Sequence, residues 1–180
     1  MKATRDYIKT LRSLKVGDLG LLRSHAGQGL DESVDAFDLF AGLWWPLRQK
    51  TQKAPKREVA WLIAKLYAAR PLDDLSGSTL ARQLSRCEPR QDRDARRFRS
   101  AVDRLLTCSI SDIEPHLRWA LDVIAEESLG IDWVKLTDDL SYWQHGSKRG
   151  EWARHYLGIR EEIQHVEDDL DEEEGSNHVD

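Results

Sequence analysis

Apolar residues recur along this chain at three- and four-residue intervals, the signature of amphipathic helices, and alternation of the strand type is nearly absent. In residues 4–14, Tyr7, Ile8, Leu11 and Leu14 share one face. A short helix of about two turns follows, with Asp18 as its expected N-cap and Gly27 and Gly29 as its stop. Val34, Phe37, Leu39, Phe40, Leu43 and Trp44 then fall at helical spacing, and Pro46 is expected to end that helix. After a polar connector, Pro55 suits the first turn of the next helix. That helix has Val59, Leu62, Ile63, Leu66 and Tyr67 inward and stops before Pro71.

A short helix around Leu80–Arg86 comes next, then "RQDRDARRFRSAVDRLL" at residues 90–106. Residues 109–130 carry Leu117, Leu121 and Ile124 inward, and Gly130 terminates that stretch. Asp132 caps a helix bearing Trp133, Leu136, Leu140 and Trp143. Residues 148–164 read as the last ordered helix. The expectation is an all-α bundle of about nine helices in two packed lobes, residues 1–75 and 76–160, joined within 70–90. Residues 161–180 form an acidic tail expected to be disordered.

Composition supports a packed fold. The 180 residues are 40% hydrophobic and include seven tryptophans, which excludes disorder throughout. No apolar run approaches the roughly 20 residues of a membrane span, and the N-terminal stretch lacks a signal-peptide pattern. A cytoplasmic protein with no membrane contact is expected. Cys87 and Cys108 suit packing thiols better than a disulfide framework or a zinc site.

The charge is unevenly placed. The net charge is −5, yet residues 161–180 hold ten acids and no Lys or Arg. Without them 27 basic residues face 22 acidic ones, so the body carries +5. Distribution, not the sum, governs the choice of partner.

The basic residues are also sorted. On a helical wheel of residues 90–106, Ala95, Phe98, Val102, Leu105 and Leu106 occupy one sector about 100° wide. Arg90, Arg93, Arg97 and Arg104 occupy another about 60° wide, with Arg96 beside it and Arg99 at the edge of the apolar face. Asp94 is placed for weak bridges to its arginine neighbours. A charge run commonly marks only a solvated face. Arginine in a row also suits phosphate, because its charge is permanent and its fork matches phosphate oxygens. Two further clusters weigh toward the second reading. Arg48, Lys50, Lys53, Lys56 and Arg57 crowd residues 48–57 with no acid, and Lys148 and Arg149 sit in a glycine-bounded turn. Together these could line a groove for a nucleic-acid backbone with little base preference.

Other chemistry is not indicated. The six histidines are dispersed and fit no metal or general-base pattern. Asp138 and Asp139 are adjacent, so they point apart on a helix and suit its surface. There is no phosphate-cradling glycine loop and no nucleophile elbow. No catalytic residue, metal or cofactor is expected. Trp61, Trp119 and Trp133 belong to apolar stripes. Trp44, Trp45 and Trp143 could serve as core, as stacking platforms or as interface anchors.

Seven segments in order, "GDLGLLRSHAG", "VAWLIAKLYA", "LARQL", "RRFRSAVDRLL", "IEPHLRWALDVIA", "IDWVKLTDDLSYW" and "EWARHYL", span about residues 14–157. The set resembles the CasB family, the small subunit of the type I-E CRISPR surveillance complex Cascade. The resemblance implies an all-α, non-catalytic protein, present as two copies that touch the crRNA-bearing backbone subunits and the large subunit. It implies a basic surface that holds the displaced non-target DNA strand and steadies the R-loop, where strand exchange is nearly balanced. Contact with crRNA is compatible with the same chemistry. Motif by motif, "RRF" implies Arg96 and Arg97, "SKRG" implies Lys148 and Arg149, and "PKRE" implies Lys56 and Arg57. "LLRS" implies Arg23, followed here by Ser24 where many relatives have a second arginine. The alternative is a helical protein–protein adaptor whose basic face docks an acidic partner and no nucleic acid.

Overall fold

The computed structural model describes residues 2–158; the expected acidic tail at 161–180 and the end of the last expected helix lie outside them. Among the described residues the fold is all-α. The helices are α1 (Lys2–Arg12), α2 (Val16–Ser24), α3 (Val34–Lys50), α4 (Arg57–Ala69), α5 (Leu80–Arg86), α6 (Asp92–Thr107), α7 (Glu114–Glu126), α8 (Trp133–Ser141) and α9 (residues 146–158). A single 3-10 turn, Leu30–Glu32, precedes α3. No helix among them is long and apolar enough to cross a membrane.

α4 lies at the centre. Its periodicity predicts one buried face, but every residue from Val59 to Leu66 is buried. Ala60, Ala64 and Ala68 fill what would be its polar side and let α2 approach closely, while α3, α7 and α8 pack around the rest. Tyr7 of α1 is wholly buried and donates from its hydroxyl to the Ala60 carbonyl at 2.6 Å. Burial pushes that phenol far above its ordinary pKa.

One hydrophobic core runs from Tyr7 to Tyr156, across the expected division at 75/76. Two loops clasp there. Leu75 N donates to Ile131 O and Ile131 N to Asp73 O, each at 2.9 Å, and Asp132 N donates to Ser78 O at 2.8 Å. Gly130 is required at this point: a Cβ would lie 2.6 Å from the Asp73 carbonyl oxygen and 2.8 Å from Leu75 Cδ1. Asp74 takes the Trp133 N–H at 3.1 Å and an ion pair from Arg12.

Three helix boundaries differ from expectation. Pro46 does not end α3, which continues to Lys50. The lost hydrogen bond would have ended on Gly42, and both residues face solvent, so water can satisfy the freed carbonyl. Asp18 is inside α2 rather than its cap, its carboxylate accepting the Lys15 N–H at 3.4 Å. Pro55 sits ahead of α4, with Lys56 as the capping residue. Asp132 does cap α8, accepting from Lys135 N at 2.8 Å.

Candidate nucleic-acid interface

α6 begins with Asp92 and Asp94 and has Arg104 in its last turn, the charge order its dipole favours. It buries Ala95, Phe98, Val102 and Leu105 against α7, with Phe98 edge-on to Trp119 at 5.2 Å. The opposite face is arginine. Arg93, Arg97 and Arg104 are exposed, and no ion pair holds them among the described residues, Asp94 included. Arg90 is exposed just ahead of the helix. Arg96 Nε reaches back to the Asp92 carbonyl at 3.3 Å. Arg99, exposed itself, is engaged within the chain: it donates to Glu88 at 2.7 Å, and that buried carboxylate also takes the Tyr156 hydroxyl.

The connector after α3 is anchored by buried Ala54 and Pro55. Trp44 Nε1 donates to Pro55 O at 2.9 Å, and Arg48 Nη1 donates to Gln52 O at 2.8 Å. This anchoring turns Arg48, Lys53 and Lys56 toward the end of α8 and the start of α9. There they line a groove of about 590 Å³ with Tyr142 and Lys148. Two of the sequence clusters therefore meet. Lys53 also borders a hollow of about 410 Å³ beside Lys2 and Lys50.

Lys148 is not a free cation in that groove. It donates to Glu151 at 2.7 Å and lies 3.3 Å from Asp139, while Lys135 contacts the same carboxylates at 2.8 and 2.6 Å. Hydrogen bonds from Lys135 and Lys148 hold the Glu151 carboxyl down at about 2, and Lys148 is raised in return. Trp152 Nε1 donates to Asp139 Oδ2 at 2.9 Å. Asp139, expected at a helix surface, is instead 2% exposed and joins α8 to α9. The reason is that two ammonium groups and an indole compensate its burial. Asp138 turns the other way and accepts the Thr4 hydroxyl at 2.5 Å.

Arg149 diverges from Lys148. Its Nε is buried without a hydrogen-bond partner among the described residues. Its charge acts on the Cys108 thiol, which stands at the C-terminal end of α6 and is pushed up chiefly by burial. Trp143 Nε1 donates to Cys108 O at 3.1 Å, so the turn ahead of α9 is joined to the end of α6, while Lys148 at the start of α9 borders the connector groove.

Arg57 and Arg23 lie elsewhere. Arg57 pairs with Glu58 at 3.4 Å on a separate hollow of about 330 Å³. Arg23 Nε caps the C-terminal end of α4, donating to Ala68 O at 3.0 Å. Trp143, for which core packing was one of the expected roles, is buried edge-on against Trp152. Two features were missed in the sequence. One is Tyr142, the exposed aromatic of the groove. The other is the basic face of α1, with Lys2, Arg5, Lys9 and Arg12 at helical spacing, a signal the sequence contains. No cluster able to hold a metal ion exists among the described residues.

Comparison with known proteins accounts for the architecture. The family model described as CRISPR-associated protein Cse2 matches residues 18–157. No curated protein matches in sequence. CasB from Thermus thermophilus is similar in structure at 25% identity and a TM-score of 0.70, covering 87% of this chain and 97% of that one. M. ruber CasB is similar at 19% identity and a TM-score of 0.73, covering 91% and 97%, which reflects the fold alone. CasB from Thermobifida fusca is similar at 17% identity and a TM-score of 0.63, covering 86% and 93%. With the family model spanning residues 18–157, most of the chain, the protein belongs to the CRISPR-associated Cse2 (CasB) family.

Proposed function

We propose that this protein, a CRISPR Cascade subunit by family membership, binds the backbone of single-stranded nucleic acid and steadies the R-loop without catalysing a reaction. The ligand would be the displaced non-target DNA strand, and crRNA would satisfy the same contacts. The observation that carries this reading is the outward face of α6, where Arg93, Arg97 and Arg104 are exposed and unneutralised among the described residues. Guanidinium groups left in a row repel one another unless an anion meets them, and phosphate oxygens fit their fork. The groove with Arg48, Lys53, Lys56 and exposed Tyr142 supports it, adding charge and one stacking surface. Arg96 and Arg97 stand nearest to what the family resemblance implies, whereas Lys148 and Arg23 are engaged within the fold and Arg57 lies exposed on a separate hollow.

The partners would be the backbone and large subunits of the complex and a second copy of this chain. Val34, Phe37 and Trp45, exposed along α3, support such protein contacts. They also favour the adaptor reading, in which α6 meets an acidic protein. Reversing Arg96 and Arg97 to Glu decides between these. The proposed function requires weaker binding of arbitrary single strands and a shorter R-loop lifetime in the reconstituted complex. Unchanged values at low salt, with assembly impaired, would establish the adaptor instead.

A further inference from the structure

The body of this protein is basic and its last twenty residues are strongly acidic, so the place where the chain leaves the body matters. The described chain ends in α9, two residues beyond Tyr156. The Tyr156 hydroxyl bonds Glu88, and Glu88 holds Arg99 of α6 at 2.7 Å. The final turn of α9 is therefore joined, through Glu88 in the loop ahead of α6, to Arg99 on the flank of α6 beside its arginine face. Residues 159–180 can span at most roughly 70–80 Å at full extension. α6, sixteen residues long, covers only about 24 Å. Seven of the tail's acids are concentrated between Glu167 and Glu174, interrupted only by Leu170.

Charge separates the tail's options. The α3 N-terminal region is acidic, with Asp31, Glu32, Asp35 and Asp38, and would repel it. Lys135 and Lys148 already hold Asp139 and Glu151, and the groove cations Arg48, Lys53 and Lys56 meet α9 at its first turn, about 15 Å along that helix from its described end. The exposed Arg93, Arg97 and Arg104 have no such counter-charge among the described residues and lie on the element beside the exit.

We propose that the acidic C-terminal segment, residues 161–180, docks on the arginine face of α6 and competes there with nucleic acid. The docking stands on charge and position alone; the competition rests on the function proposed above. A polyanion tethered this close has an effective concentration on the order of millimolar. Held with an intrinsic dissociation constant on the order of 0.1 mM, like a weak nonspecific nucleic-acid contact, it lowers affinity for a free strand about tenfold. A strand already presented along the subunit within an assembled complex displaces it. The tail thus suppresses binding of stray nucleic acid while leaving the assembled ligand in place.

The test compares the full chain with one ending at Arg160 and with a full-length variant whose acids from Glu167 to Glu174 are changed to Gln or Asn. Proton–nitrogen NMR spectra at low salt read the docking. The expected result is shifts confined to α6 and its arginine side chains, absent in both variants and in the full chain at about 0.5 M salt, where screening is short-ranged. Shifts elsewhere, or none, overturn the docking. Binding of a random single-stranded oligonucleotide reads the competition, expected to be about tenfold tighter in both variants at low salt. Equal affinities with α6 shifts present overturn the competition. If no chain binds the oligonucleotide, the proposed function fails, and the spectra still decide the docking.

Discussion

Lys65 is the residue whose replacement tests the packing logic most sharply. It sits in the middle of α4 with its side chain 4% exposed, facing Glu114 of α7 at 12%. Its ammonium donates to Glu114 Oε2 at 2.5 Å and to Gln28 O at 2.7 Å, and lies 5.5 Å from the centre of the Trp61 ring. The other Glu114 oxygen accepts the Gly27 N–H at 2.8 Å. One ion pair therefore ties α4, α7 and the loop after α2 together. Lys65→Met keeps the aliphatic stem and most of the volume but leaves a carboxylate in a site water barely reaches. Removing one partner of a buried pair costs about 3–5 kcal/mol. For a chain of this size each kcal/mol lowers the melting temperature by about 2–4 °C, so a fall of about 6–20 °C is expected. Glu114→Gln should also destabilise, leaving the ammonium without its counter-charge. The double variant should be more stable than the sum of the single losses requires, because neither charge is then stranded. Denaturant and thermal unfolding at neutral pH measure the cycle. A loss below about 1 kcal/mol for Lys65→Met, or strict additivity, would refute the argument that this pair is desolvated and coupled.

Three further outcomes are expected. Replacing Arg93, Arg97 and Arg104 together by Gln should flatten the dependence of log affinity for single strands on log salt by about 2, from about 0.7 per phosphate contact; titrations across a salt series measure it, and an unchanged slope would remove α6 from the interface. The Glu151 carboxyl is held at about 2 in the fold, so its contribution to stability is complete above its ordinary range near 4.5 and is lost as pH falls through about 2. Glu151→Gln should remove that part of the acid sensitivity in unfolding curves taken between those limits. Gly130→Ala should cost about 1–3 kcal/mol, since its Cβ would meet backbone rather than a yielding side chain; urea midpoints test it, and a neutral effect would mean the clasp relaxes freely.

Local pattern carried much of this protein. α6 was legible because its apolar and arginine positions separate cleanly on one helical wheel, and a surface helix needs only one neighbour to bury its stripe. Asp132 was legible as a cap because a cap acts over three residues. Where reading failed, the deciding partner was distant in sequence or absent from the pattern. Pro46 reads as a stop unless Gly42 and the solvent beside it are known. Asp139 reads as surface until Lys135, Lys148 and Trp152 are brought around it from two helices. Tyr142 had no expected role, and it is exposed on the groove only because the connector after α3 folds back beside the end of α8.

The sequence by itself thus determined the all-α class, most helices and the sorting of arginines on α6, properties set by spacing within one segment, and the resemblance of seven ordered segments pointed to the family. Tertiary structure decided which cations remain available. It placed Arg48, Lys53 and Lys56 on one groove, bound Lys148 to Asp139 and Glu151, turned Arg57 and Arg23 away, and spent Arg99 on Glu88. A charge is the same in every sequence context, but its counter-charge is chosen by folding, and Coulomb attraction acts through space rather than along the chain.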